Sequence, residues 1–451
     1  MIAPWLFERI IAWGETPALV WNDTVTNYSE LAQLADDWQQ KFQARDLKPG
    51  QVVALEGSFS PNACAALIAL VRLGAIILPL TPLMRTQRDQ FLGIAEARLL
   101  VEFDEPDAFT FHEFERTVEN AVTQKLIARG HPGLIIFSSG STGSPKAILH
   151  DFASLLEKFQ KVRQKKTTLT FLLFDHIGGI DTLFNTLASG GTVVTVPNRD
   201  PETVSRALAK YRVHTLPASP TFLNLWLMSG LFEQYDFSAL QVIAYGTEPM
   251  PPNTLKKLHE LFPAVSLVQT YGMSELGVLR SRSRDSESLW IKFTDEGFQT
   301  KIIDGILWVK ADAAMIGYLN APDLFDAEGW LNTQDAVEVD GEYLRILGRA
   351  SDLINVGGQK VYPAEVENLL LQMDNVLDVA VFGKAHPMMG QIVVARFNLK
   401  TPEPLADFKR RMGAFCRERM AAYQIPRLVE ISDDEQYGSR FKKLRNASFV
   451  P

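Results

Sequence analysis

The residues best suited to chemistry lie in the stretch Phe137-Ser138-Ser139-Gly140-Ser141-Thr142-Gly143-Ser144-Pro145-Lys146. From Ser138 to Lys146 it sets five hydroxyls, two glycines and one lysine into nine residues. Glycines let the backbone curl around a ligand, and N–H, hydroxyl and ammonium groups all donate to phosphate oxygens. The preceding apolar run, Leu134-Ile135-Ile136-Phe137, predicts a buried strand, so the donors follow a strand end. A Walker A loop requires Gly-Lys-Ser/Thr opening a helix. Here Lys146 follows Pro145 and precedes Ala147, which excludes that pattern. The loop alone fits either a phosphate site or an ordinary surface turn.

Other candidates follow in order. In Gln269-Thr270-Tyr271-Gly272-Met273-Ser274-Glu275-Leu276-Gly277, Tyr271 offers a ring for stacking and Ser274 a hydroxyl. Glu275 offers a carboxylate for a divalent cation beside phosphates. A helix N-cap with a first-turn acid would look the same. Asp335, in Gly329-Trp330-Leu331-Asn332-Thr333-Gln334-Asp335, can accept both hydroxyls of a ribose, or serve as a turn aspartate. Arg349 and the cluster Phe441-Lys442-Lys443-Leu444-Arg445 complete the series, the latter equally readable as a basic tail.

Six motifs in this order resemble the adenylate-forming superfamily of acyl-CoA synthetases, peptide-synthetase adenylation domains and luciferases. They are the loop 138–146, the segment 271–275, Asp335, the hinge segment 348–352, Asn355-Val356-Gly357-Gly358 with Pro363-Ala364-Glu365-Val366-Glu367, and the terminal lysine region. The resemblance runs from Thr26-Asn27-Tyr28-Ser29-Glu30-Leu31 to Arg445. It implies that a carboxylate attacks the α-phosphate of ATP to give an acyl-adenylate and pyrophosphate, after which a thiol displaces AMP. It further implies an ATP site of Ser138, Ser139, Gly140, Ser141, Thr142, Gly143 and Lys146, with Gly246, Thr247, Glu248, Tyr271 and Gly272 around adenine. Asp335 would hold the ribose with Arg349 close by, Ser274 would contact the α-phosphate, and Glu275 would bind Mg²⁺. Lys442 matches the catalytic lysine, whose ammonium stabilises charge growing on the reacting oxygens. Lys442 is preferred to Lys443 because it keeps the family spacing to Arg445.

The chain departs from the family at Phe441 and Gln334, where glycine is usual. Ser351 stands at the hinge where many relatives carry Asp or Lys, and Ile306 replaces a common glutamate. Phe174-Asp175-His176-Ile177-Gly178-Gly179-Ile180 resembles the gate of the acid pocket, with His176 positioned to orient a carboxylate. Amino-acid-activating relatives use an aspartate in this region, and Asp175 is adjacent. The expected walls, Pro217, Ser219, Phe222, Tyr245, Gly246 and Met273, favour an apolar or aromatic acid. Gly357 and Gly358 resemble a loop that admits a pantetheine arm. CoA is the expected acceptor, with the phosphopantetheine of an acyl carrier protein as the alternative. A nucleotide-binding protein without catalysis is the third reading.

Elements must hold these residues in place. Helical patterns at 28–44, 61–73, 180–187 and 201–211 alternate with strand patterns at 51–55, 76–80, 169–174 and 192–196, which predicts parallel sheets under helices. After about Ile302, short strands with polar turns take over, and Asp340-Gly341 marks a hairpin. The expected fold is α/β, a large N-terminal domain of mostly parallel sheets with a small β-barrel-like part, then a small mobile α+β C-terminal domain. The expected boundaries are 1–348, a hinge at 349–352, and 353–451.

The 451 residues exceed one ordinary core. A hydrophobic content of 46%, a charged content of 22% and a net charge of −8 suit a globular protein that does not bind nucleic acid. Two distant cysteines, Cys64 and Cys416, suggest no disulfide framework and fit the cytoplasm. The apolar window 63–80 contains Arg72 and Gly74, which favours a buried helix and strand over a membrane span. A monomer and a homodimer both remain open.

Overall fold

The computed structural model describes residues 3–104, 106–138, 145–294, 297–438 and 440–445. Two seven-stranded sheets form the larger part of the chain. One runs Gly317–Tyr318, Lys146–Asp151, Gly133–Ser138, Ile76–Leu80, Val52–Glu56, Leu99–Phe103, Phe109–Glu113. The other runs Ser266–Gln269, Val242–Tyr245, Thr215–Ala218, Thr167–Leu169, Thr192–Val194, Pro17–Trp21, Thr24–Asn27. Their inner strands pair mostly in parallel, as the alternation of helix and strand patterns predicts, and antiparallel strands close every edge except that at Ser266–Gln269.

Strand side chains alternate between faces, so one strand feeds two cores. Val53 and Leu55 join a central core with Leu19 and Val193 of the other sheet, whereas Val52 and Ala54 face an outer core. Helices Tyr28–Gln43, Pro61–Leu73 and Ile177–Leu187 supply the middle layer between the sheets. Asn27 starts the first of these with a reciprocal capping box to Glu30. Helix Pro61–Leu73 ends at Gly74 in the left-handed conformation, and the chain turns into strand Ile76–Leu80. The apolar window is therefore a buried helix and strand, with Arg72 ion-paired to Asp36 at its edge. Among the described residues no helix is long and apolar enough to cross a membrane.

A third, antiparallel sheet of six strands starts at Ser281–Ser283 and includes the hairpin Leu331–Asp340 with Tyr343–Arg349. It is open at its edge strands, a half-barrel. The turn Ala350–Asp352 leads to a fourth sheet around Val376–His386 and Gly390–Leu399, packed on helices Pro363–Leu370 and Leu405–Arg417. Strand Thr167–Leu169 is shorter than the pattern 169–174 predicts. Residues 170–174 leave the sheet to line cavities at its end.

In the parallel sheets, the loops leaving the carboxyl ends of the strands converge, the usual ligand position in such folds. Gly246 follows Tyr245, Thr270 follows Gln269, and Ser219 follows Ala218. Trp38 anchors the layer that carries this platform. It is fully buried against Phe42, Phe103 and Phe109, and its Nε1 donates to Asn62 at 2.9 Å. Trp38→Ala should lower stability by about 3–5 kcal/mol, read as a fall in the calorimetric melting temperature.

Candidate active site

A cavity of about 230 Å³ opens between the larger part of the chain and the C-terminal sheet. Tyr271, Asp335, Arg349, Lys442 and Arg445 line it beside the turn at Gly246 and Thr247. Asp335 is buried, accepts a hydrogen bond from the Tyr271 hydroxyl at 2.6 Å, and lies 3.6 Å from the Arg349 guanidinium. Burial pushes its carboxyl upward, while Arg349 and Tyr271 oppose that shift. The Tyr271 phenol is pushed well above its usual value, by burial first and then by Asp335. Gln334 beside Asp335 has φ +62°, the left-handed conformation that favours the glycine usual here.

The turn at 246–247 is sterically tight. A Cβ on Gly246 would lie 2.5 Å from the Thr270 hydroxyl oxygen and 2.9 Å from its carbonyl oxygen, so only glycine fits. Thr247 is β-branched yet has φ +74°, a strained backbone of the kind held at functional sites. Its hydroxyl is buried and has no hydrogen-bond partner among the described residues.

Residues 440–445 are anchored at several points. Arg440 pairs with buried Asp175 at 2.9 Å. The ring of Phe441 sits 5.5 Å from Phe171 and 5.7 Å from Phe222, with the Arg199 guanidinium 5.2 Å away. Phe441 has φ +50°, a cost of about 1 kcal/mol that such aromatic contacts offset. Lys443 is committed to Asp378 and to the Val379 carbonyl, and its backbone N–H donates to Glu248 at 3.1 Å. Arg445 grips buried Glu367 with two hydrogen bonds, at 2.9 and 2.7 Å. Lys442 is left in the cavity, accessible to solvent but surrounded by protein. Burial, then Arg349, lowers its pKa, and Glu248 opposes them.

Lys146 begins the strand that pairs with Gly133–Ser138, and Ser138 is its direct partner. Residues 139–144 of the candidate phosphate loop (Ser139, Gly140, Ser141, Thr142 and Gly143 among them) lie outside the described residues. Tyr318 joins the Lys146 flank to Glu275. Its hydroxyl donates to Glu275 at 2.7 Å, and the Lys146 ammonium sits 5.3 Å from its ring centroid. Ser274 does not line the 230 Å³ cavity; its carbonyl accepts from His150 Nε2 at 2.6 Å.

A second cavity, about 720 Å³, runs beside helix Ile177–Leu187 and shares Gly246, Thr247 and Thr270 with the first. Strand alternation decides its walls. Thr215 and Pro217, Val242 and Ala244, and Val268 face it. Tyr245, one residue on from Ala244, points into the core on the other face. Of the residues expected in the acid pocket, Pro217 and Gly246 line this cavity and the others do not. Ser219 is the buried N-cap of helix Pro220–Ser229, Phe222 packs in that helix's core, and Met273 packs in the third sheet. Gly179 lets the start of helix Ile177–Leu187 press onto Leu173, where a Cβ would lie 2.1 Å from the carbonyl oxygen.

His176 is the N-cap of that helix, and its Nδ1 accepts from Gly178 N at 3.0 Å. Burial, then Arg440, Lys442 and Arg199, push its pKa down to about 3. The imidazole is neutral, so Nε2 carries the proton and can act as a donor. Gly357 and Gly358 form an exposed two-residue turn outside the lining of both cavities. Ser351 lies in the exposed turn Ala350–Asp352. The sequence reading missed His150, Tyr318 and Arg440, and it placed Glu367 in a motif without giving it a partner. Arg440, next to a recognised motif, was the most findable; the others act through contacts distant in sequence.

The family model described as AMP-binding enzyme matches residues 6–304, and the model for the AMP-binding enzyme C-terminal domain matches residues 365–437. The indoleacetate–CoA ligase of Aromatoleum aromaticum is 27% identical over 463 residues, covering 90% of this chain and 89% of the relative. The 2-succinylbenzoate–CoA ligase of Bacillus cytotoxicus is 26% identical over 459 residues, covering 94% and 93%. A solved structure of an anthranilate CoA ligase with anthranoyl-AMP matches with a TM-score of 0.83 at 20% identity, covering 98% of this chain and 95% of that one. That last likeness concerns the fold.

The neutral His176 has a measurable consequence. Its folded pKa, about 3, lies below the ordinary 6.5, so below pH 6.5 the unfolded chain binds a proton that the folded chain refuses. This contribution is fully present above pH 6.5 and is lost as pH falls toward 3. His176→Asn keeps a capping acceptor and removes the titration. Its melting temperature should fall less than that of the parent between pH 6.5 and 4; parallel curves would refute a buried neutral imidazole.

Proposed function

Because this chain belongs to the AMP-binding enzyme family of adenylate-forming ligases, we propose that it activates a carboxylic acid with ATP and passes the acyl group to the thiol of CoA. The observation that carries this reading is the junction of the two cavities at Gly246 and Thr247, with Lys442 in the smaller one. The 230 Å³ cavity offers a ribose partner in Asp335 and a cation in Arg349. The acid enters the larger cavity with its carboxylate at the junction, beside the strained turn at Thr247.

In the first step a carboxylate oxygen bonds to the α-phosphorus of ATP and the bond to pyrophosphate breaks. The Lys442 ammonium stabilises charge on the oxygens around that phosphorus. In the second step the thiol sulfur bonds to the acyl carbon, its proton is released, and AMP leaves. A cavity of about 630 Å³ on the other side of Phe441, with Thr81 and Phe171 in its wall, gives a pantetheine arm room to approach.

Mg²⁺ suits the residues present. Among the described residues no three His, Cys, Asp or Glu side chains cluster as a metal cage. Mg²⁺ in such sites is held by one or two carboxylates together with substrate phosphates. Glu275, oriented by Tyr318 beside Lys146, supplies one carboxylate. The ion would neutralise phosphate charge.

The body of the acid lies against Leu172, Pro217, Ala218, Val242, Ala244 and Val268, which supports an apolar or aryl skeleton. Asp175 is occupied by Arg440, which argues against its gripping the amine of an amino acid.

ATP–pyrophosphate exchange across an acid panel tests the first step, and offering CoA or a phosphopantetheinylated carrier protein identifies the acceptor. Absence of exchange with every acid would refute the reading. Lys442→Ala should slow adenylation by about 10²–10³-fold while sparing thioester formation from supplied acyl-adenylate. Equal losses in both half-reactions would remove Lys442 from its role at the α-phosphate.

A further inference from the structure

Phe441 and Lys442 are neighbours in sequence and face different cavities. Phe441 lines the 630 Å³ cavity and Lys442 the 230 Å³ one. The backbone that joins them is therefore part of the wall between the two spaces. That backbone is a tight turn. Phe441 N–H donates to the Gly438 carbonyl at 2.8 Å, and Gly438 N–H to the Lys442 carbonyl at 3.0 Å. Tyr437 and Lys443 form a β-bridge beneath it, and Leu444 N–H donates to the Gln436 carbonyl at 2.8 Å. A turn bonded in this way moves as one piece, so whatever fixes Phe441 also fixes Lys442.

Phenylalanine is a costly choice for this backbone. At φ +50° a glycine would sit without strain. The ring is held instead by its neighbours. Phe171 and Phe222 belong to the larger part of the chain, and Tyr437 of the same turn stacks on the ring at 5.4 Å and 13°. Arg440, the preceding residue, pairs with Asp175, which also accepts from the Thr81 hydroxyl at 3.3 Å. Thr81 is itself in the wall of the 630 Å³ cavity. Next to Phe171, Leu172 lines both this cavity and the 720 Å³ one, so the partition on that side is one residue thick. A gap at the ring would open the 630 Å³ cavity toward the place where acid and nucleotide meet.

We propose that the Phe441 ring is a plug: with Lys442 in place, it seals the reacting centre from the 630 Å³ cavity and shields the acyl-adenylate from water. The proposal rests on the ligase reading, since it needs that intermediate. The reaction it prevents is hydrolysis. A water oxygen bonds to the acyl carbon, the bond from that carbon to the phosphate oxygen breaks, AMP leaves with the electron pair, and the protons pass to solvent. An acyl-adenylate is a mixed anhydride, and excluding water protects such reactive intermediates. The sealed site keeps the activated acid until a thiol is present, and the thiol gains the acyl carbon when the ring is unseated.

The test compares two rates in the absence of any thiol. ATP–pyrophosphate exchange reports formation of the acyl-adenylate, and steady release of AMP reports its loss to water. Glycine suits the left-handed backbone at 441, so Phe441→Gly removes the ring without adding strain. It should raise the ratio of AMP release to exchange by about ten-fold, the scale of one or two lost aromatic contacts. Phe441→Tyr keeps the ring and should hold the ratio near that of the parent. An unchanged ratio in Phe441→Gly, with or without slower exchange, would make the ring an anchor alone and overturn the proposal. A ratio raised equally in both variants would also overturn it. So would intact acyl-adenylate appearing in the filtrate in step with the raised ratio, since the intermediate would then be escaping rather than meeting water inside. Each of these outcomes leaves the ligase reading intact, because the parent still exchanges. No exchange with any acid in the parent would refute that reading and this proposal together.

Discussion

The short segment at residues 440–445 joins the two parts of the molecule by charge. At one end Arg440 pairs with Asp175 beside the second sheet. At the other, Lys443 and Arg445 pair with Asp378 and Glu367 of the C-terminal part. Glu248 ties the middle to the start of helix Pro220–Ser229, accepting from Thr221 N–H and Lys443 N–H. Breaking one partner of a buried ion pair leaves an uncompensated charge, which is far costlier than losing an exposed one. The position of Lys442 therefore follows from its neighbours: each adjacent cation is spent on a carboxylate, and Lys442 is left facing the cavity.

The same segment shapes the electrostatics of the site. Burial first, then Arg440, Lys442 and Arg199, hold His176 neutral, and Arg349 with Lys442 offsets the cost of burying Asp335. A chain with net charge −8 thus concentrates positive charge where its anionic substrates meet. Departures from glycine at Gln334 and Phe441 keep the left-handed backbone that the positions require. The aromatic contacts of Phe441 oppose the strain and bind the terminal segment to the acid side of the site. Rigidity around the reacting atoms comes from side chains rather than from regular secondary structure.

Local pattern was a good guide wherever one face decided burial. Helix Pro61–Leu73 and strand Ile76–Leu80 lie where their apolar runs and the Pro and Gly at their ends indicate. The hairpin at Asp340-Gly341 is present, with Asp340 paired to Tyr343 and Gly341 at φ +61°. Strand Thr167–Leu169 was misjudged because residues 170–174 are as apolar as a strand but are buried against a cavity and other loops. At the large cavity a one-residue phase decides the wall: Tyr245 and Ala244 are neighbours in sequence and lie on opposite faces of the sheet.

The sequence by itself determined the family, the α/β class and the order of the motifs, because each depends on residue types at short range. Tertiary structure decided which of two adjacent lysines is free, since Asp378 lies 65 residues from Lys443 in the chain. It also decided that His176 is a neutral cap. That follows from burial and from charges brought together from distant segments, such as the 265 residues between Asp175 and Arg440, and no local spacing encodes such meetings.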